Sequence, residues 1–232
     1  MFLNFNYIFK KLLNKKPNNI IDVGKNIYFI RKKIIGSNNK ILIDSNQYKK
    51  RMKIRVCVNG NNNTIIIKNP LMIRRLNIII GNSKAINNAV IMINENVSIE
   101  SLEILVYQNN SKLNVGKDCM ISNNVKIRTG EVPHLIFNKK SGEYLDTNSQ
   151  IDIGENVWIG ENVHIMKRAS VANGSIVGAC SMVTKKFEEN NCLIAGNPAR
   201  IAKKDIYWVR DENQLERNSI YSNSFIKYKE AR

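Results

Sequence analysis

Between residues 151 and 187 a branched aliphatic residue returns every six positions, at Ile153, Ile159, Ile165, Val171, Val177 and Val183. The residue after each is usually small (Gly154, Gly160, Ala172, Gly178), and the fourth after it is small or aliphatic (Val157, Val163, Ala169, Ser175, Ser181). A step of six scatters side chains around a helix of 3.6 residues per turn, so no amphipathic helix accounts for it. Hairpin alternation fails as well, because turns such as Gly-Glu-Asn and Ala-Asn-Gly interrupt every few positions. The pattern fits a solenoid in which six residues make one short strand and one turn, with the repeating aliphatic pointing inward. Three such units close a triangular coil, which predicts that Ile153 stacks under Val171, Ile159 under Val177 and Ile165 under Val183. A β-sandwich whose strands fall in phase by chance is the ordinary alternative.

Upstream the signal persists in degraded form. IIDVG, ILIDS, TIIIKN, NIIIGN, VIMINEN and VSIESLEI are short β-branched runs separated by Asn, Gly and Lys, and Ile93 and Ile99 are again six apart. The step slips around YQNNSK and resumes at Val115, Ile121 and Ile127. One β-helix with irregular early coils, spanning 18–204, is therefore expected. Its Asn-rich turns suit the left-handed backbone region, which Asn tolerates better than most residues.

The ends read differently. Residues 1–17 place Phe2, Phe5, Phe9, Leu12 and Leu13 on one helical face with four lysines nearby, and Pro17 ends the element. This short amphipathic helix could rest on anionic lipid or dock on protein, and is too short and charged to span a bilayer. It also lacks the features of a secretory signal. Residues 205–232 leave the repeat and could cap the solenoid, pack on a partner or stay partly disordered. Four cysteines without CxxC spacing suggest reduced thiols in a cytoplasmic protein. A formal charge of +17 points to acidic partners, against the alternative of a merely Lys-rich surface.

The six-step stops from 128 to 150, in RTGEVPHLIFNKKSGEYLDTNSQ. A rigid solenoid that throws out one loop of this size usually does so for function. The loop holds His134. The other histidine, His164, is expected to be a surface residue by the phase of Ile165.

The tract IGENVWIGENVHIMKRASVANGSIVGACSMVTKKFEENNCLIAGNPARIAKK resembles the hexapeptide-repeat acyltransferases, and within them the sugar and polysaccharide O-acetyltransferase branch. The elements that carry the resemblance are VWIG, then GA-x-S-x-VT, then GNPA followed by a basic residue. The match covers about 128–208, and the earlier part matches only in style. The resemblance implies a left-handed parallel β-helix, acetyl-CoA as co-substrate and a homotrimer with active sites between subunits. It also implies a histidine base in the loop before VWIG, which falls on His134. Glu131 stands where the family has Asp, although Glu-Val-Pro-His departs from the D-x-H spacing, so a role in orienting His134 is an open expectation.

Acyl transfer to a sugar hydroxyl needs a positioned base, worth roughly 10²–10⁴-fold. No nucleophilic Ser or Cys constellation is visible, so direct attack in a ternary complex is expected. Trp158 is the candidate to assist the oxyanion through its indole N–H or to wall the thioester. Glu161 and Ala179 stack eighteen residues apart, as do Lys167 and Lys185. Small residues such as Gly160 and Ala179 would let a pantetheine arm approach along the axis. By the resemblance, Ala179, Thr184 and Lys185 fall along that arm, and Arg200 and Lys203 fall where cations meet the CoA phosphates.

The expected acceptor is a bacterial surface glycan, capsule or O-antigen, and anionic given the charge. The alternative acceptor is small: a free sugar, a nucleotide-linked amino sugar, serine or an antibiotic. No metal is expected, because two histidines thirty apart cannot supply the three-histidine zinc site of the hexapeptide carbonic anhydrases. Nucleic acid is not expected either, since charge is its sole support.

Overall fold

The computed structural model describes residues 18–44, 51–131, 133–147 and 149–230. The expected N-terminal helix lies outside the described residues. From Ile20 to Lys203 the chain winds as one parallel β-helix whose coils contribute to three sheets. Face 1 has eight strands, from Ile20–Val23 to Lys186–Phe187. Face 2 has seven, from Ile27–Ile35 to Met182–Val183. Face 3 also has seven, from Met72–Ile73 to the hairpin Leu193–Gly196 and Ala199–Lys203. The chain passes from face 1 to face 3 to face 2 and back to face 1.

The expected stacking is observed rung by rung: Ile153 on Val171, Ile159 on Val177 and Ile165 on Val183. All six are buried at 1% exposure or less, and with the aliphatics of the early coils they form one continuous column. Burying each such side chain contributes about 1.5–3 kcal/mol. The column holds the rigid frame on which the loop and turns are mounted.

Early coils belong to the same solenoid, as expected, but they are longer. Along face 1 the register runs Ile41–Ile65–Ile91–Leu113, steps of 24, 26 and 22 residues, whereas Ile153–Val171 is 18. The extra residues lie in wider strands and in the corner from face 2 to face 1. That corner is built from asparagine. Asn63 Oδ1 accepts from the Ala89 amide while its Nδ2 donates to Asn39 Oδ1 and to the Ile86 carbonyl. Asn39 and Asn63 are both 1% exposed, so these bonds satisfy backbone groups inside the column. Outside them runs a solvent-facing ladder, Asn38–Asn62–Asn88–Asn110. Among the described residues, eleven of the fifteen non-glycine positions with positive φ are asparagines, including Asn38, Asn62, Asn88 and Asn162. That is the turn chemistry the sequence suggests.

Beyond the last coil, residues 205–215 double back along the corner between faces 1 and 3. The Ile206 amide donates to the Asn191 carbonyl, and Trp208 Nε1 to the Asn156 carbonyl at 3.0 Å. Arg210 donates to Ser98 Oγ and to the Asp118 and Cys119 carbonyls. A helix, α1 (Ile220–Glu230), follows. Residues 205–215 thus pack along the side of their own solenoid, an arrangement outside the three expected from the sequence.

Candidate active site

The loop leaves at the face 2 to face 1 corner, immediately above the asparagine ladder. Ser111 Oγ lies 2.9 Å from Thr129 Oγ1, joining the last ladder turn to the loop's first residue inside the corner. Phe137 and Tyr144 bridge the two arms of the loop, with ring centroids 5.4 Å apart. Asn138 Oδ1 accepts from the Lys140 and Ser141 amides, and Gly142 turns the tip at φ +70°. The loop is thus a short hairpin, and His134 sits exposed on its rising arm beside the exposed Leu135, Ile136 and Phe137.

The base of this hairpin is held by charge. Arg128 places a guanidinium nitrogen 2.7 Å from Glu131 Oε2, donates Nε–H to the Gly130 carbonyl and lies over the Tyr107 ring. Lys167, from the next coil, reaches both ends: 2.7 Å to Asp146 Oδ1 and 4.0 Å to Glu131 Oε1. Asp146 is 1% exposed, and neither of its carboxylate oxygens accepts a well-directed hydrogen bond among the described residues. Lys167 is therefore its compensating charge, and losing it would strand a buried carboxylate. Glu131 meets His134 through the main chain, its carbonyl accepting the His134 amide at 2.9 Å. Its carboxylate is turned to Arg128 and Lys167. The sequence pairs Lys167 with Lys185 alone and gives Asp146 no part, since Lys167 is distant in the chain from both acids that it joins.

Trp158 lies on face 3. It lines a groove of about 810 Å³ together with Ser122, Gly160, Glu161, Gly178 and Ala179. Gly160 stacks over Gly178, and Gly178 over Ala195, by the registers of the residues before them. Ala195 pairs with Arg200 in the terminal hairpin, which turns through a cis Asn197–Pro198 bond. A small-residue track thus runs along the axis and ends beside an exposed arginine, with Lys203 exposed on the same strand. A Cβ at Gly160 would come within 2.8 Å of the Ala179 amide nitrogen, so the track requires glycine there. The Trp158 indole N–H donates to Ser122 Oγ at 3.3 Å, and its ring packs against Trp208, centroids 6.0 Å apart. Trp208 backing Trp158 is a contact that only the doubled-back C-terminus creates.

The sequence candidates fall into two sets on different corners. Trp158, Gly160, Glu161, Ala179, Arg200 and Lys203 belong to face 3 and its edge. His134, Glu131, Thr184 and Lys185 belong to the face 2 to face 1 corner, where Thr184 and Lys185 directly follow the strand Met182–Val183. One chain does not bring the two sets together. Near the second set, a polar hollow of about 690 Å³ lies between the ladder and the loop, lined by Lys84, Gln108, Asn109, Asn110, Tyr144 and Thr147. His164 is half-buried on face 2, outside both sets. Among the described residues no group of acidic, His or Cys side chains has the arrangement of a metal site. Burial pushes the Cys119 thiol up to about 12, so it is no nucleophile.

Known proteins match this geometry. Residues 151–185 match the family described as bacterial transferase hexapeptide (six repeats). An uncharacterized 24.8 kDa protein in the cps region of Klebsiella pneumoniae is 29% identical over 89% of this chain and 85% of its own length. A polysialic acid O-acetyltransferase of Escherichia coli is 32% identical over 42% of this chain, which spans only 31% of that protein. In three dimensions, the polySia-specific acetyltransferase NeuO superposes with a TM-score of 0.55 at 26% identity, covering 91% of this chain and 99% of NeuO. The polysialic acid O-acetyltransferase OatWY shares the fold, with a TM-score of 0.52 at 24% identity and coverage of 91% and 95%. The repeat, its stacking and these likenesses agree: the chain folds as a left-handed parallel β-helix, and its residues 151–185 carry the repeat of the bacterial hexapeptide transferases.

Proposed function

We propose that this protein transfers acetyl from acetyl-CoA to a hydroxyl of an anionic bacterial surface polysaccharide, as a cytoplasmic homotrimer with sites shared between neighbouring subunits. The observation that carries the reading is the full-length likeness to the polySia-specific acetyltransferase. The likeness to a protein of a cps region supports a capsular acceptor.

In this reading the face 3 groove of one subunit holds acetyl-CoA. The pantetheine arm lies on the track Gly160–Gly178–Ala195, with Glu161 and Ala179 at its margin and the phosphates near Arg200 and Lys203. The loop of the next subunit brings His134 over the thioester, with Thr184 and Lys185 beneath. Leu135, Ile136 and Phe137, exposed in one chain, become buried in that contact. The imidazole takes the acceptor proton as the hydroxyl oxygen attacks the thioester carbon. The tetrahedral oxyanion then collapses, the C–S bond breaks, and the CoA sulfur recovers the proton from the imidazolium. With its N–H on Ser122, Trp158 contributes its ring face, walling the thioester from water. Glu131 acts on His134 indirectly, by fixing the loop base through Arg128 and Lys167.

Release of CoA thiol from acetyl-CoA with a panel of acidic and neutral polysaccharides tests this, with His134→Ala run alongside. Release that depends on an acidic glycan and falls by at least about 10²-fold in the variant is expected. Release on monosaccharides but on no polymer would move the acceptor to the small class. A fully active His134→Ala would remove the base.

A further inference from the structure

The charge of this chain is concentrated in one region. Residues 20–90 hold fourteen Lys and Arg against two Asp and Glu, whereas residues 91–232 hold eighteen against seventeen. The excess therefore sits on the early coils, away from the loop and the glycine track. Asp22, one of the two acids, lies on a face 1 strand, and Asp44 follows another. The early part of face 2 carries cations alone. Parallel register sets Arg31 on Arg55 and Lys53 on Arg75, with Lys33 one outward position beyond Arg31.

Strands in a sheet lie about 4.8 Å apart, and like charges directly opposite one another repel. Among the described residues, none of these five side chains makes an ion pair or hydrogen bond, and the Arg55 Nε is shielded from solvent without an acceptor. Arg31, Lys33 and Arg55 converge on a groove of about 310 Å³ floored by Cys57, Ile79 and Gly81. The first acid along this face, Glu103, is already engaged by Asn77 at 2.7 Å. Among the described residues nothing balances the array. An external polyanion would.

We propose that face 2 of the early coils is a non-catalytic grip for a carboxylate-bearing polysaccharide, set apart from the acetyl-transfer site. The proposal rests on the acidic-glycan reading above. The outward column that begins at Lys33 continues through Cys57, Ile79 and Leu105 to Arg128, the residue from which the loop departs. That distance is four strand spacings, roughly 19 Å. A polymer can lie on the cations and reach the loop together, and a single sugar cannot. This continuity favours the acceptor polymer over a membrane or a nucleic acid, neither of which has a part at the loop.

The test is fluorescence anisotropy with labelled polysialic acid at two salt concentrations, using wild type, Arg31→Gln/Lys33→Gln/Arg55→Gln and His134→Ala. Free sialic acid serves as competitor, with duplex DNA and phosphatidylglycerol vesicles as other polyanions. Wild type and His134→Ala are expected to bind the polymer alike, more weakly at higher salt, and sialic acid is expected not to compete. The triple variant is expected to lose at least about tenfold in affinity, with the single variant Arg31→Gln intermediate. Its Tm is expected at or above that of wild type, because stacked like charges are removed. Unchanged polymer binding by the triple variant would overturn the proposal, as would binding of DNA or vesicles without the polymer. Polymer binding through these residues with no acetyl transfer to any glycan would leave the grip and sink the proposed activity. Transfer without polymer binding would do the reverse.

Discussion

The two halves of this solenoid reach the same cross-section by different means. From residue 151 onward a coil takes 18 residues, shortening to 17 or 16 at the last, each corner is a tight turn, and the column is filled by the repeating aliphatic with a second buried residue two positions before it. Before residue 115 a coil takes 20 to 26 residues, and one corner is carried by side-chain amides stacked like a second backbone. A strict hexapeptide leaves no room to vary a surface. The laddered coils can widen their strands and carry a run of cations, because asparagine absorbs the extra corner residues in left-handed conformation and still satisfies the main chain. The late coils supply the close backbone approach that a cofactor groove needs. The early coils supply a broad charged face. The loop stands where the two regimes meet.

The comparison can be broken by equivalent substitutions in the two halves. Asn63→Ala removes acceptor and donor from the Ala89 amide and the Ile86 carbonyl inside the column. It is expected to cost about 3 kcal/mol by urea unfolding, at about 1–3 kcal/mol for each buried group left unpaired. Asn162→Ala, in a late turn that is exposed and bonded only to Asn124 Nδ2 and the Asn123 carbonyl, is expected to cost about 1 kcal/mol, chiefly from its positive φ. Equal costs would mean that the ladder is ornament.

Lys167→Met is expected to strand Asp146 and loosen the loop base. It should lower kcat by about tenfold while KM for acetyl-CoA stays within about twofold, since the groove lies on another corner. A rise in the acetyl-CoA KM instead would place Lys167 at the cofactor. The smallest effect concerns the thiols. Cys180 is exposed, whereas Cys119 is buried with its thiol raised to about 12. An aqueous thiol reagent at pH 8 is therefore expected to modify Cys180 and leave Cys119 untouched in the folded protein.

The late half was legible because its period is strict: Ile153, Ile159 and Ile165 name their own stacking partners once the coil length is known. In the early half the β-branched runs were visible but their register was not, since steps of 24, 26 and 22 residues follow corner insertions rather than a repeat. The Asn-rich turns were visible as turns, but Asn61, Asn62 and Asn63 form a ladder only when stacked against Asn38, Asn39, Asn87 and Asn88. At the site, the glycine track and the His134 loop could be read from spacing and resemblance. The turn of the Glu131 carboxylate toward Arg128 and Lys167 could not, because nothing local marks Lys167 as its neighbour. The backing of Trp158 by Trp208 likewise depends on the chain reversing after the last coil.

The central claim is that chemistry occurs between subunits, with the loop of one chain serving the groove of the next. Mixing two inactive variants tests it most directly. Gly160→Val distorts the floor of the groove, because its Cβ would come within 2.8 Å of the Ala179 amide nitrogen and 2.9 Å of the Val177 carbonyl oxygen, and His134→Ala removes the base. Each alone is expected to be inactive. When the two are unfolded and refolded together in equal amounts, about a quarter of the interfaces in a cyclic trimer would pair an intact loop with an intact groove. The account predicts recovery of acetyl transfer to about that fraction of wild type. Mixed samples as inactive as the separate variants, despite confirmed co-assembly, would contradict it.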